Sequence, residues 1–339
     1  MKKSIEELVR ENIRHIKPYS SAREEFTGKA DIYLDANESP FDTGFNRYPD
    51  PLQKKVKEKL AQIKGVHSNQ IFLSNGSDEA IDWLVRAFCE PKQDSIIICP
   101  PTFGMYEVVA NINDVEIKEI PLDKNFEPNV DAILKTPVKI LFLCSPNNPT
   151  GNQIKKKTII ELLNGFDGLV VVDEAYVDFS PYSLVSEINN YENLVVLQTF
   201  SKAWGMAGLR LGATYGTEKL IDYLTKLKMP YNVGTHAQKL ALELLSENKV
   251  SQTVKKILVE KEKVKNALLE IKQVKEIFPS DANFLLVRFD KAKEIYHSLA
   301  QKGILIRNQT NKPNCEDCLR ITIGTEEENN RLISELKKL

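Results

Sequence analysis

From about residue 70 onward, short apolar runs alternate with longer stretches of helical period, and this alternation restricts the fold more than any other feature of the chain. The runs are 70–74, 95–99, 115–120, 138–144, 169–172, Leu194–Thr199 and Leu211–Tyr215. They are rich in Ile, Val and Leu, as strands covered on both faces must be. Between them lie segments such as 78–89, whose Ile81, Leu84, Val85 and Phe88 fall on one helical stripe. Such alternation predicts an α/β domain with a mostly parallel sheet flanked by helices.

After residue 235 the texture changes. A charged helical stretch over 236–272 precedes two strand candidates, 284–288 and 319–323, with a helix over 291–302 between them. This predicts a smaller α+β domain. The first residues read as an amphipathic helix carrying Ile5, Leu8, Val9 and Ile13 and stopping before Pro18. The resulting division is an N-terminal arm (1–35) contributing to the small domain and to a dimer contact, a large domain (36–235) and a small one (236–339). Segment 39–51, rich in Pro, Gly and Asn, should be a loop.

Charge narrows the function. Lys plus Arg number 46 against 47 Asp plus Glu, so no general field favours nucleic acid or an anionic membrane. No apolar run is long enough to cross a bilayer, and the N-terminal lysines precede no apolar secretory segment. Five cysteines without an export signal fit reduced thiols in a cytoplasm. Cys315-Glu-Asp-Cys318 has no second pair and no neighbouring histidine; it reads as ordinary loop thiols, and no metal is expected.

Three polar clusters follow predicted strands directly. They are Cys144-Ser-Pro-Asn-Asn148-Pro-Thr-Gly151, then Asp173-Glu-Ala-Tyr176, then Ser201-Lys202 with Gly208-Leu-Arg210-Leu-Gly212. Ligands of open α/β sheets bind where strands end at their carboxyl side, so these clusters should meet in one crevice. Taken singly each has a plain explanation: a capping Asp, a solvated Ser-Lys turn, a proline turn. A fourth segment, Gly76-Ser77-Asp78, opens a helix and could hold an anion on its backbone N–H groups, or Ser77 or Asp78 could simply cap it. Gly76 lacks the companion glycines of a dinucleotide-binding loop.

In order and spacing, with Lys202 lying 29 residues after Asp173, the clusters resemble the fold-type I pyridoxal-phosphate enzymes, and among them the aminotransferases. The resemblance implies that Lys202 holds pyridoxal 5'-phosphate covalently and moves the substrate's α-proton, and that Asp173 pairs with the ring nitrogen. It implies further that Asn148 and Tyr176 bond the ring phenolate oxygen and that Phe103 stacks on the ring. Gly76, Ser77, Asp78, Ser201 and Arg210 would hold the phosphate. Phe103, beside Pro100 and Pro101, would otherwise be read as packing.

Further segments cover almost the whole chain. They include Pro18-Tyr19-Ser-Ser-Ala-Arg23, Asn37-Glu38-Ser-Pro40, Asn46-Arg47-Tyr48-Pro-Asp50, Asp281-Ala-Asn283-Phe284 and Leu319-Arg320-Ile-Thr-Ile-Gly324. This set is similar to the histidinol-phosphate aminotransferases. It implies a homodimer in which Tyr48 reaches the cofactor phosphate of the neighbouring subunit, with Tyr19, Asn37, Arg307 and Arg320 binding substrate. Arginine suits both a dicarboxylate and a phosphate monoester, because its fork binds either through two hydrogen bonds. Outside the resemblance, Arg320 reads as an edge-strand ion pair and Tyr48 as a surface residue. Aromatic aminotransferases and threonine-phosphate decarboxylases share much of the motif set and remain the alternatives.

Overall fold

The computed structural model describes residues 2–26, 28, 30–247 and 249–339. Its main sheet has seven strands: β1 (Ile71–Asn75), β2 (Ser95–Ile98), β3 (Glu116–Glu119), β4 (Ile140–Cys144), β5 (Leu169–Asp173), β6 (Leu194–Thr199) and β7 (Leu211–Tyr215). They lie in the order β1-β7-β6-β5-β4-β2-β3. The neighbours from β3 to β6 pair parallel, whereas β7 runs antiparallel to both β6 and β1. All seven expected strands form.

The apolar runs of β2, β4 and β5 are long because both faces are covered, whereas the edge strand β3, Glu-Ile-Lys-Glu, is partly exposed. Successive side chains of a strand point to opposite faces. Ile140 and Phe142 therefore join one core cluster, shared with Ile81 and Leu84 of the helix Ser77–Phe88, while Leu141 and Leu143 join another, shared with Ile159 and Leu162 of the helix Lys156–Gly165. Each such fully buried side chain contributes about 1.5–3 kcal/mol.

A second sheet contains β8 (Val274–Ile277), β9 (Phe284–Phe289), β10 (Arg307–Asn308) and β11 (Cys318–Thr322), ordered β10-β11-β9-β8 and antiparallel throughout. The helices Val250–Leu269, Ala292–Gln301 and Glu326–Leu336 cover it through Val264, Leu268, Ile295, Leu299 and Leu332. This is the expected α+β unit, with two edge strands added.

Three expectations need correction. The stretch 236–272 is not one helix but two, Thr235–Glu247 and Val250–Leu269. Ala241 and Leu245 of the first share a core cluster with Leu60 and Leu211, so this helix packs with the main sheet's layers. The N-terminal helix is likewise two single turns, Ile5–Leu8 and Glu11–Arg14, joined by extended backbone at Val9 and Arg10. That break lets Ile5, Leu8, Val9 and Ile13 enter the large domain's core, while the Arg10 N–H donates to the Ala87 carbonyl at 3.0 Å. Residues 5–13 thus pack on the large domain, not on the small one.

Cys315, in a loop, and Cys318, the first residue of β11, are free and fully buried, clustered with Leu122 and Phe126. Among the described residues no helix is long and apolar enough to cross a membrane.

Candidate active site

The polar clusters stand where the topology predicts, at the carboxyl edge of the parallel strands. β5 ends on Asp173; β4 runs into the turn that carries Asn148; β6 runs into Ser201 and Lys202. Because β7 is antiparallel, it begins at this same edge, with Arg210 immediately before it. Ser77, Asp78, Phe103, Asn148, Asp173, Tyr176, Ser201, Lys202 and Arg210 line one cavity of about 180 Å³. Cys144, Ala175, Thr199 and Ala207 complete its wall.

One end of the cavity is built for an anion. Gly76 takes φ +82° and caps the helix Ser77–Phe88 without any side-chain capping bond, so neither Ser77 nor Asp78 serves as a cap. The first N–H groups of a helix have no intrahelical partners and carry its positive dipole end. Arg210 stands beside them. Its guanidinium donates to Ser201 Oγ at 3.5 Å and lies 3.6 Å from the Asp78 carboxylate. A Cβ on Gly76 would sit 2.6 Å from the Arg210 Nη2, and a Cβ on Gly212 would sit 2.4 Å from the Ser77 nitrogen. Both glycines therefore preserve close approaches that any side chain would fill.

Gly212→Ala is expected to force β7 away from the helix start, because the colliding atoms are backbone and cannot turn aside. The cost should be about 1–3 kcal/mol. Thermal melting together with phosphate-ester binding to the purified variant checks this; wild-type behaviour in both would show that the approach can relax.

The other end holds a buried acid. Asp173 is 2% exposed; its Oδ2 accepts from the Tyr106 hydroxyl at 2.7 Å and its Oδ1 from the Ala175 N–H at 3.1 Å. Burial pushes its pKa up to about 6, against these two hydrogen bonds, which pull it down. The Lys202 ammonium is lowered from its ordinary value, first by burial and then by the Arg320 charge. Its Nζ lies 5.7 Å from the centre of the Tyr176 ring. An acid, an amine, an aromatic wall and an anion cradle within one small cavity match a planar, phosphorylated pyridine aldehyde in every functional group.

Arg320 links the two domains' chemistry. It projects from β11, donates to the Asn148 Oδ1, and lies 5.3 Å from the Phe284 ring centre. Its buried Nε has no partner. The β10–β11 register sets Arg307 directly opposite it, and the two line a neighbouring cavity of about 500 Å³.

Three expected residues do not reach either cavity within this chain. Tyr19 and Asn37 stand exposed, and Tyr48 stacks on Tyr231 with ring centres 4.4 Å apart. Tyr48 instead lines a separate cavity of about 600 Å³ formed by residues 22–54. Glu38 organises that segment. Its buried carboxylate accepts from Arg23 at 2.5 Å, Arg47 at 2.8 Å and the Tyr48 N–H at 2.6 Å. The Arg23 bond above all holds it down to about 2.

Sequence reasoning missed Tyr106, Cys144 and Glu38. A signal existed for Tyr106, a tyrosine on the apolar stripe of a short helix, since buried tyrosines usually find an acceptor. Glu38 stands inside the motif 37–40, but nothing local revealed its role, because its partners lie at 23, 47 and 48.

Residues 34–336 match the model of the aminotransferase class I and II family. The chain belongs to that family. Within it, the chain is 51% identical to a histidinol-phosphate aminotransferase of Flavobacterium psychrophilum and 49% identical to one of Parabacteroides distasonis, each alignment covering 99% of both chains. The crystal structure of the histidinol-phosphate aminotransferase from Clostridium acetobutylicum superposes with a TM-score of 0.80 at 25% identity, covering 87% of this chain and 91% of that one.

Proposed function

We propose that this protein is a pyridoxal-phosphate-dependent histidinol-phosphate aminotransferase. It converts L-histidinol phosphate and 2-oxoglutarate reversibly to 3-(imidazol-4-yl)-2-oxopropyl phosphate and L-glutamate, a step of L-histidine biosynthesis. The single observation that carries the reading is the 49–51% identity to enzymes of that name over 99% of both chains. The cavity's chemistry supports it independently.

The bound cofactor supplies an electron sink for the charge that develops at the substrate's α-carbon. Lys202 is the residue that would hold it, through its amine. The Lys202 amine would move the substrate's α-proton, and its burial favours the neutral form that this needs. Of the residues lining the cavity, Asp173 would hold the ring nitrogen, Asn148 and Tyr176 would serve the phenolate oxygen, and Phe103 would flank the ring. Ser77, Asp78, Ser201 and Arg210 bind the phosphate through N–H, hydroxyl and guanidinium donors, and Gly76 leaves room for it. Arg320 and Arg307 anchor the anionic groups of both substrates.

The enzyme acts as a homodimer whose partner supplies Tyr48, while Tyr19 and Asn37 bind substrate. The supporting observation is an apolar face on the same segment, with Phe26, Ile32, Leu34, Phe41 and Phe45 each more than half exposed. Hybrid dimers test this. Lys202→Ala subunits mixed with Tyr48→Phe subunits should regain activity above either parent, because one site of each hybrid has both residues intact. Subunit exchange without recovery would place Tyr48 in its own subunit's site or outside the site.

Parallel turnover of histidinol phosphate, phenylalanine and threonine phosphate tests the substrate. Histidinol phosphate should give the highest kcat/KM by at least tenfold; a preference for either competitor would overturn the assignment.

A further inference from the structure

The helix Met105–Ile112 packs against β2, β3 and the helix Ser77–Phe88, and it carries a tyrosine, reaching across to β4 and β5, that no motif assigns to the chemistry. Tyr106 is fully buried, and its hydroxyl donates to the Asp173 Oδ2 at 2.7 Å. Two further contacts fix the ring. It stacks on Phe142 with centres 4.8 Å apart and an interplanar angle of 11°, and it meets Phe103 edge-on at 5.7 Å. Tyr106 thus touches both the acid at the cavity's end and the aromatic ring in its wall, while lying outside the cavity itself.

Resting on the proposed function, we infer that Tyr106 is a positioning residue. It keeps Asp173 ionised and aimed at the cofactor's ring nitrogen, and it sets Phe103 against the ring. The physical reason is the cost of a buried carboxylate. Without donors, Asp173 would take up a proton near neutrality and lose the charge that holds a protonated pyridine nitrogen. The Ala175 N–H serves one carboxylate oxygen, so the phenol is the second donor, and it supplies a bond to a charged acceptor, the stronger kind. An aliphatic side chain at 106 would leave the carboxylate short of a partner.

The direction of the pH effect follows from the groups that face Asp173. Burial raises its pKa to about 6 in the cofactor-free chain, and the Tyr106 bond opposes the rise. Asp78, on the helix Ser77–Phe88, raises it; Lys202, after β6, lowers it. The Cys144 thiol on β4 and the Tyr176 phenol beyond β5 are themselves raised by burial, so neither adds charge near neutrality. Removing the Tyr106 hydroxyl withdraws a stabiliser of the ionised acid, so the midpoint moves to higher pH.

The test is cofactor binding to the apoprotein across pH 5–9, read by fluorescence quenching and by the absorbance of the bound cofactor. For Tyr106→Phe, which keeps the ring packing, the acid-side loss of affinity should shift upward by about one pH unit, a tenfold weakening below the midpoint. At saturating cofactor, kcat should fall about tenfold with KM for the amino donor within twofold. Site-specific 3-fluorotyrosine at 106, a stronger donor of nearly the same size, should move the midpoint down; this variant carries the test if Tyr106→Phe folds poorly. A cofactor analogue with carbon in place of the ring nitrogen should bind the wild type and Tyr106→Phe alike. Midpoints within 0.2 pH units across all three proteins would refute the role of Tyr106. Wild-type protein that binds no pyridoxal phosphate at any pH would refute the proposed function instead.

Discussion

Lys202→Ala is expected to reduce transamination at least 10²–10⁴-fold, the range that a positioned proton-transfer group supplies on its own. The side chain lies between the anion cradle and Asp173 and is the only lysine among the cavity's lining residues. Pyridoxal phosphate should still bind, since the helix N-terminus, Ser201 and Arg210 are untouched, but it should be lost on dialysis. Because the Lys202 amine is held by nothing stronger than its 5.7 Å approach to the Tyr176 ring, the melting temperature of the apoprotein should hold within a few degrees. Measuring turnover at saturating cofactor beside thermal melting separates the two effects. A variant that keeps a tenth of wild-type turnover would remove Lys202 from the chemistry.

Arg320→Lys should weaken glutamate and histidinol phosphate together by roughly ten- to a hundred-fold, the equivalent of about 1.5–3 kcal/mol for a bidentate charged contact. Lysine keeps the charge and loses the fork. It also loses the flat cation over Phe284, and it can donate either to Asn148 or to substrate but cannot reproduce the geometry of both. The bound cofactor's spectrum should remain near wild type. Steady-state kinetics of the two half-reactions are the check. Unchanged efficiency in both would leave Arg320 as a strut between β11 and the Asn148 turn.

The main sheet was legible because its central strands are covered on both faces, so that 140–144 and 169–172 read as unbroken apolar runs. The edges of the second sheet were not. Val274–Ile277 alternates with Lys275 and Glu276, and β10 is only two residues long, too short to leave a pattern. The break between Ile5–Leu8 and Glu11–Arg14 was hidden for another reason. Apolar spacing indicates which residues face a core but not whether the backbone stays helical between them.

The candidate site divides along the same line. Residues placed by a strand end, such as Asp173, Asn148 and Lys202, were readable because a local motif marks each one. Contacts between distant segments were not. Tyr106 meets Asp173 across 67 residues and Arg320 meets Asn148 across 172, and no local spacing encodes either pairing. Tyr48, Tyr19 and Asn37 form a third case: the motifs mark them, yet in a single chain they stand away from the cavity.

Borohydride reduction of the yellow holoprotein, followed by peptide mapping, tests the central claim most directly. The account predicts loss of the visible absorbance and one reduced pyridoxyl group per subunit, carried by the peptide that contains Lys202. A label on any other lysine, or no label on protein that had bound the cofactor, would contradict it.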